Sequence, residues 1–207
     1  MESDCVILHF MQKIINHFKK VDSVLFSAIK NFEFPISHRG SNYFADLCEI
    51  IIQQQLSEKA GDTIFGRFKK LFPLGKISPE NLVKLKDDEI RMCGTSNMKV
   101  KYLKNLARQL IKKEFIWDRL EELDDEEIIT ELTKIKGVGR WSADMFLMFS
   151  LGREDVFSYG DLGLRRAIQK LYKLKKEPSM KQAEKIAIKW RPYRTYACRI
   201  LWRSLAI

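Results

Sequence analysis

The sequence predicts an all-α fold, and three features carry that prediction. Helix start and stop signals recur along the chain, apolar residues repeat at the spacing of helix faces, and no segment shows sustained alternation of apolar and polar residues. The 207 residues are 45% hydrophobic and 31% charged, which is typical of a globular protein with a buried core and excludes a disordered chain. The fold class is common, so by itself it leaves the function open.

The first helices are predicted from apolar faces and from the breakers between them. Helices are expected at about 6–19 and 22–31, before a stretch that contains proline and glycine. The dense apolar face of residues 42–53 predicts a buried helix. Ser57 follows a cluster of glutamines and is a candidate cap for a helix that runs to about residue 71.

Capping signals define most of the later helices. Ser78 followed by Pro79 opens a short helix, with a cap and then a proline at the first helical position. Asp124 and the acidic residues after it begin a helix that runs to about Ile135, because carboxylates are stabilised at the positive end of a helix dipole. Further helices are expected at 87–92, at 98–114 and after Ser179, which forms a capping box with Gln182, with Pro192 as a restart.

The positive charge of the chain is concentrated at its C-terminal end. The net charge is +10, and residues 161–207, with 13 basic and three acidic side chains, account for all of it. A neutral body with a basic end predicts a polyanionic partner such as nucleic acid. A solvated lysine-rich helix face is the alternative, and it suits residues 173–189 taken alone.

Cysteine spacing and hydropathy limit the cofactors and the location. The four cysteines lie at least 43 residues apart, so no short-spaced pair is available for zinc or an iron–sulfur cluster. We therefore expect reduced, buried cysteines, no such metal and no cofactor. No apolar run approaches the roughly 18 residues that cross a bilayer, and the N-terminus lacks the cationic start of a signal peptide. These features predict an intracellular protein with no membrane partner.

A glycine-flanked hairpin, Ile135-Lys136-Gly137-Val138-Gly139, lies between two predicted helices. Glycine permits backbone angles that a side chain would block, and it lets a phosphate approach the exposed amides at a helix N-terminus. Arg140 opens the second helix and adds positive charge. We therefore expect Gly137, Val138, Gly139 and Arg140 to contact DNA. The alternative is an ordinary turn in which Gly137 ends the first helix.

A single carboxylate, Asp161, follows the hairpin and stands at the start of another predicted helix. Together, the hairpin and this carboxylate suggest a protein that binds the DNA backbone while it catalyses a reaction at one nucleotide. An ordinary N-cap is the alternative, since an aspartate before a helix commonly accepts backbone N–H groups. Arg165, at the i+4 position, can pair with that aspartate. The catalytic and capping roles can coexist in one residue.

Three blocks of the chain resemble the helix-hairpin-helix superfamily of DNA glycosylases, and most closely its DNA-3-methyladenine glycosylase II branch. The blocks are residues 51–57, the hairpin through Asp161, and residues 190–202, and they stand in family order. The middle block is the most specific of the three. The match spans roughly residues 45–203, which is most of the chain.

The resemblance implies two helical subdomains flanking a DNA-binding cleft. Residues 1–40 with 152–207 would form one subdomain, and residues 41–151 the other, which ends in the helix-hairpin-helix. The additional N-terminal β-rich domain of some relatives is not expected, because only about 40 residues of helical character precede the match.

By this resemblance, Asp161 is the catalytic carboxylate. Breaking the N-glycosidic bond leaves positive charge on the deoxyribose, and a nearby anion stabilises that charge. The carboxylate can also orient or activate the attacking water. Trp141 stands where bifunctional relatives carry a lysine nucleophile that attacks the sugar. The tryptophan therefore implies a monofunctional enzyme that uses water and has no lyase step.

The resemblance also implies a pocket for the excised base. Trp141 and Trp202 match aromatic walls, and an electron-rich ring face attracts a cationic purine by about 0.5–2 kcal/mol. Met145 and Leu162 stand where tyrosines line the pocket of bacterial relatives, which leaves the breadth of substrates open. For Trp202, a core aromatic near the C-terminus is an equally good interpretation.

Further DNA contacts follow from the same resemblance. In the family, the loop that matches Gln54, Gln55 and Leu56 approaches the DNA and supplies a wedge for the gap left by an extruded base. The sequence does not select among these three residues, and a polar turn between helices is the alternative. Lys99 and Arg165 are candidate phosphate contacts. Relatives also suggest a monovalent cation between the hairpin carbonyls and a phosphate.

The function expected from these features is the excision of alkylated, cationic purines such as 3-methyladenine from damaged double-stranded DNA, by a monofunctional enzyme that acts as a monomer. A glycosylase for uracil, a mismatched base or an oxidised purine is the first alternative, although no dedicated acid for a neutral leaving base is evident. A non-catalytic helix-hairpin-helix DNA-binding protein is the second alternative, and it leaves the position of Asp161 unexplained.

Overall fold

A computed structural model describes residues 2–29, 40, 42–112 and 119–205 of the chain. Regular structure within these residues is helical throughout, which confirms the predicted all-α class. In chain order the helices are α1 (Glu2–Val21), α2 (Ser23–Ile29), α3 (Tyr43–Gln53), α4 (Glu58–Lys69), α5 (Pro79–Lys84), α6 (Asp87–Met92), α7 (Asn97–Ile111), α8 (Asp125–Thr133), α9 (Arg140–Phe149), α10 (Leu162–Leu171), α11 (Met180–Ala187) and α12 (Arg194–Leu205), with 3-10 turns at Pro73–Gly75 and Ile188–Trp190.

The chain divides into two units, and each has its own core. The terminal unit comprises Met1–His38 and Gly152–Ile207, and the central unit comprises Arg39–Leu151. The assignment of functional subdomains at 1–40 with 152–207 and at 41–151, and the DNA-binding cleft between them, stay predictions.

The core of the central unit is built around α3. Leu47, Ile51 and Ile52 on this helix are fully buried, and α3 packs against α4, α7 and α9. The helical spacing of these apolar residues explains why one face of α3 is covered. α5 and α6 pack against α7. α8 packs against α9, so the helices that precede and follow the hairpin contact each other.

A buried carboxylate, Asp22, joins the helices of the terminal unit. In this unit α12 packs against α2 and α10, and α1 packs against α2. The indole Nε1 of the fully buried Trp190 donates to Asp22 Oδ2 at 2.7 Å. Asp22 also accepts hydrogen bonds from the Tyr172 hydroxyl and from the backbone N–H of Leu25, and it pairs with Lys189 Nζ at 2.9 Å. One carboxylate therefore connects the start of α2 to α10 and to the turn before α12.

Three of the predicted helix caps, Ser78, Asp124 and Ser179, are confirmed. Asp124 and Glu127 form a capping box at the start of α8, and Ser179 and Gln182 form another at the start of α11. The Ser78 side chain caps α5 by accepting a backbone N–H. These features were predictable because a capping residue and its partner lie three residues apart in the sequence.

Some predicted helix ends are wrong by a few residues. α8 ends two residues before Ile135, because the N–H groups of Lys134 and Ile135 bond to carbonyls three residues back as the chain enters the hairpin. Ser57 precedes α4 as predicted, but its side chain makes no capping hydrogen bond. The predicted helix ends at residues 31 and 114 lie outside the described residues.

Three cysteines, Cys48, Cys93 and Cys198, are buried and free of disulfides, as predicted. Burial raises the pKa of the Cys48 and Cys93 thiols, so neither is set up as a nucleophile. Within the part of the chain that the structure describes, no helix has the length and apolar character to cross a membrane. The same residues contain no group of three or more His, Cys, Asp and Glu side chains that could hold a metal ion.

Candidate functional site

The hairpin between α8 and α9 requires glycine at position 137. Gly137 has a φ of +98°, in the left-handed region that side chains rarely adopt. A Cβ on Gly137 would also lie only 2.2 Å from the ring of Tyr102 on α7. Both the backbone conformation and the available space therefore select glycine. The Tyr102 ring packs against the hairpin at Gly137, a contact that the sequence did not predict.

Gly139 and Val138 differ from Gly137. Gly139 is the N-cap residue of α9, its φ of −99° is open to any residue, and a Cβ on it would meet nothing within 4 Å. Among the residues that the structure describes, no side chain caps this end of α9. Helix N-termini of this kind favour an anion, because the first amides have no partner within the helix. The Val138 side chain is buried, and its backbone N–H donates to Ile135 O at 2.9 Å. The DNA contact of Val138 stays a prediction.

Arg140 is bound to two carboxylates of the central unit. Its Nη1 and Nη2 donate to Glu126 at 3.0 and 2.8 Å, and its Nε donates to Asp144 Oδ1 at 3.1 Å. These bonds join the first turn of α9 to the first turn of α8. The guanidinium faces the acidic first turn of α8. The DNA contact of Arg140 stays a prediction.

Gln54 attaches the loop after α3 to the hairpin. Its side-chain Nε2 donates to Gly137 O at 2.8 Å and to Ser142 Oγ at 2.9 Å. Gln54 is therefore held against the hairpin and the first turn of α9, and its role as a wedge stays a prediction. Of the other wedge candidates, Gln55 is exposed with a φ of +59°, and Leu56 is 40% exposed.

Lys99 caps the end of α3. Its Nζ donates to Ile52 O at 2.8 Å and to Gln54 O at 2.7 Å. Carbonyls at the C-terminal end of a helix have no partner within the helix, and they favour a cation. Burial lowers the pKa of the Lys99 ammonium. Lys99 thus holds the loop that carries Gln55 and Leu56, and its contact with a phosphate stays a prediction.

In the terminal unit, two N–H groups converge on one oxygen of Asp161. Asp161 Oδ1 accepts the backbone N–H of Leu164 at 2.7 Å, which caps α10, and the indole N–H of Trp202 at 3.1 Å. Trp202 lies on α12, which packs against α10. Both side chains are half-buried. The capping interpretation of Asp161 is therefore confirmed, and the structure brings this carboxylate together with one of the two predicted pocket tryptophans.

The remaining predicted site residues are placed as follows. Arg165 pairs with Glu177 Oε1 at 3.2 Å, so its guanidinium is engaged by a carboxylate further along the chain. Leu162, at the start of α10, is 43% exposed. In the central unit Met145 is 6% exposed, and Trp141 is half-buried in the first turn of α9.

Arg194 clamps the segment that leads to Asp161, and sequence analysis missed this contact. Its Nε and Nη2 donate to the Asp155 carboxylate at 2.6 and 3.0 Å, its Nη2 donates to the Asp155 carbonyl at 2.6 Å, and its Nη1 donates to the Tyr159 hydroxyl at 3.0 Å. Burial alone would raise the pKa of Asp155, but hydrogen bonds from Arg194 and Arg191 outweigh burial and lower it. A paired arginine and carboxylate fix direction as well as distance.

Comparison with known proteins gives these features a family. Residues 48–192 match the model of the HhH-GPD superfamily of base excision DNA repair proteins. DNA-3-methyladenine glycosylase 1 of Schizosaccharomyces pombe is 36% identical over 163 residues, which cover 78% of this chain and 72% of that protein. A DNA-3-methyladenine glycosylase of Saccharomyces cerevisiae is 34% identical over 171 residues, which cover 74% of this chain and 57% of that protein.

Solved structures show the same fold. The S. pombe 3-methyladenine DNA glycosylase in complex with abasic DNA superposes with a TM-score of 0.87 at 32% identity, and the match covers 94% of this chain and 97% of that one. A DNA-3-methyladenine glycosidase from Bacillus halodurans matches with a TM-score of 0.72 at 35% identity, over 90% of this chain and 86% of that one. The sequence match, the hairpin geometry and these structures lead to one conclusion: the chain belongs to the HhH-GPD superfamily of base excision DNA repair proteins.

Proposed function

We propose that this chain is a monofunctional DNA glycosylase that flips alkylated, cationic purines such as 3-methyladenine out of double-stranded DNA and hydrolyses their N-glycosidic bond. Two relatives named DNA-3-methyladenine glycosylase, from S. pombe and S. cerevisiae, support this activity. The structural observation that carries the proposal is the Asp161 carboxylate, which is oriented by two N–H groups at the start of α10.

The reaction needs an anion of this kind. The bond between C1′ and the base nitrogen breaks, its electron pair leaves with the base, and positive charge develops on the deoxyribose. The Asp161 carboxylate stabilises that charge. Water then forms a bond to C1′ and loses a proton to the carboxylate or to solvent, which leaves an abasic site and a neutral base. Because an alkylated purine is already cationic, it departs readily and needs no dedicated acid.

The second residue after the hairpin, Trp141, supports hydrolysis rather than lyase chemistry. Trp141 occupies the position where a lysine nucleophile would attack the sugar, and an indole cannot form a Schiff base. Of the two nearby lysines, Lys134 pairs with Glu131 at 2.6 Å. Lys136 is exposed, and it precedes the two glycines in the sequence, whereas Trp141 follows them. We therefore expect base release without strand cleavage.

Base recognition in this proposal depends on aromatic faces. The resemblance assigns a base-stacking role to Trp141 and, separately, to Trp202, and a cationic ring gains about 0.5–2 kcal/mol from stacking on one indole. Met145 and Leu162 each stay predicted pocket residues, and their lack of aromatic rings leaves the breadth of substrates open. Trp202 would have two tasks, because its indole N–H also orients Asp161.

DNA binding in this proposal depends on the central unit. The amides around Gly137 and Gly139 would hold a phosphate, with or without a monovalent cation at the hairpin carbonyls. Gln55 or Leu56 would fill the gap left by the flipped nucleotide. One chain would suffice, because the carboxylate, the hairpin and the wedge loop all belong to it.

Release of bases from methylated duplex DNA tests the proposal. The purified protein should liberate 3-methyladenine or 7-methylguanine, and strand breaks should appear only after alkali treatment. Strand cleavage without alkali would refute the monofunctional assignment. Release of uracil or of an oxidised purine from matched duplexes, with methylated DNA left intact, would favour another lesion. DNA binding without release of any base would identify a non-catalytic DNA-binding protein.

The Gln54→Ala variant tests the link between the loop and the hairpin. Losing two hydrogen bonds to the hairpin should weaken binding to a duplex with an abasic site by about fivefold, since one net hydrogen bond contributes about 1 kcal/mol. Fluorescence anisotropy measures the affinity. Gln53→Ala is the matched control, because its amide bonds only to Glu49 and Asp62 side chains, at 3.1 Å each. Equal affinities for both variants would contradict the proposed link.

A further inference from the structure

Gly163 lies in the first turn of α10, two residues after Asp161. Its backbone is not in the left-handed region, so its conformation does not require glycine. Glycine within a helix costs about 0.5–1 kcal/mol relative to alanine. Because the backbone conformation at position 163 would also allow alanine, the reason for a glycine there lies in the neighbouring side chains.

The surroundings of Gly163 are the two side chains of the proposed catalytic centre. A Cβ on Gly163 would lie 3.0 Å from Asp161 Oδ1, 3.4 Å from Trp202 Cδ1 and 3.5 Å from Trp202 Nε1. The contact with Oδ1 is shorter than ordinary van der Waals distance. Oδ1 is also the atom on which the N–H groups of Leu164 and Trp202 converge. A methyl group here would therefore press on the hydrogen bonds that orient the carboxylate.

We propose that Gly163 is a positioning residue of the glycosylase reaction. The absence of a side chain at this position lets the indole N–H of Trp202 and the backbone N–H of Leu164 reach the same oxygen of Asp161. This inference rests on the proposed function, in which Asp161 faces the deoxyribose. It adds that the orientation of the Asp161 carboxylate depends on Gly163, a residue without a side chain.

A methyl group at position 163 should be accommodated by movement of the site rather than by loss of the fold. Asp161, Gly163 and Trp202 are all half-buried, so the two side chains can shift by a few tenths of an ångström toward solvent. The helix gains from alanine at the same time. Stability and activity are therefore expected to change in opposite directions, which a merely structural glycine would not produce.

The Gly163→Ala variant tests the inference. With enzyme in excess, the rate of base release from methylated DNA should fall about tenfold, because small displacements of a reacting group cost substantial rate. Affinity for an abasic duplex should stay within about twofold of the parent, and Tm should be unchanged or higher. The indole N–H resonance of Trp202, assigned from its loss in Trp202→Phe, should shift as its hydrogen bond weakens.

Gly160→Ala is the matched control. Gly160 lies in the turn just before α10, its φ is not positive, and a Cβ on it would meet nothing within 4 Å. This variant should keep the parent's rate and the parent's indole resonance. A double-mutant cycle adds a second control: when Trp202 is already phenylalanine, Gly163→Ala should cost less than about threefold in rate, because the N–H that it displaces is gone.

The outcomes separate failure of the proposed function from failure of the positioning role. A parent protein that releases no base refutes the proposed function, and the positioning role with it. An active parent with an equally active Gly163→Ala variant refutes the positioning role alone. The same holds if Tm and rate fall together, or if the rate falls while the Trp202 resonance stays in place, since Gly163 would then act only through packing.

Discussion

Replacement of Asp161 by asparagine is expected to reduce the single-turnover rate of base release about 10²–10³-fold, the usual cost of removing one electrostatic stabiliser of a transition state. The variant keeps an oxygen acceptor for the N–H groups of Leu164 and Trp202, so the cap of α10 and the shape of the site should survive. Only the negative charge is lost. Affinity for an abasic duplex and Tm should therefore stay close to those of the parent.

Two further variants separate the charge of Asp161 from its capping role. Asp161→Ala removes the cap as well and should lower the free energy of unfolding by about 1 kcal/mol. Asp124→Asn is the matched control, because Asp124 caps α8 in the same way but lies outside the proposed catalytic centre. It should leave the rate unchanged. If Asp161→Asn and Asp124→Asn released bases equally fast, Asp161 would be a helix cap and nothing more.

The nature of the leaving base sharpens this prediction. A cationic purine leaves with its electron pair more readily than a neutral base does, so it depends less on the enzyme. The residual activity of Asp161→Asn should therefore be highest on 7-methylguanine and 3-methyladenine and lowest on any neutral base that the parent accepts. Base release measured on the two kinds of duplex, with one preparation of each variant, provides this comparison.

Local features of the fold were predictable, because they depend on residues close in sequence. The capping boxes at Asp124 and Ser179 each join residues three apart, and the apolar face of α3 repeats within one helix. The position of the hairpin followed from its two glycines. The helix class and the hairpin thus needed no knowledge of long-range contacts.

The tasks of individual polar residues were not predictable in the same way. No sequence pattern indicated that Lys99 bonds to carbonyls 47 and 45 residues away. Gln54 reaches the hairpin across 83 residues. Unpaired carbonyls at helix ends need a donor, and nothing in the local sequence shows which donor supplies it. A basic or amide side chain near a DNA-binding motif can therefore serve the protein itself.

The candidate site contains both local contacts that were predictable and long-range contacts that were not. Asp161 was identified from its place after the hairpin, and its capping bond to Leu164 was a predictable local contact. Its bond to Trp202 spans 41 residues, and the clamp of Arg194 on Asp155 spans 39. These contacts depend on how α12 packs, which the sequence does not encode in any short pattern.

The largest effect on stability is expected at Asp22, far along the chain from Asp161. Asp22 is 4% exposed. It accepts hydrogen bonds from Tyr172 and Trp190 and pairs with Lys189. Removing one partner of a buried, hydrogen-bonded ion pair leaves the others unsatisfied and typically costs about 3–5 kcal/mol. Asp22→Ala should therefore lower the free energy of unfolding at pH 7 by about 3 kcal/mol, measured by urea denaturation.

The pH dependence of stability provides an independent check on Asp22. Burial alone would raise the pKa of its carboxyl, but the hydrogen bonds from Tyr172, Trp190 and Lys189 outweigh burial and lower it. A carboxyl whose pKa is lower in the folded state stabilises the fold above its unfolded pKa of about 3.9, and that contribution is lost as the pH falls through the folded value. The stability difference between the parent and Asp22→Asn should thus be constant above about pH 5 and shrink below about pH 4. A difference that stayed constant down to acid unfolding would show that Asp22 acts through its shape rather than its charge.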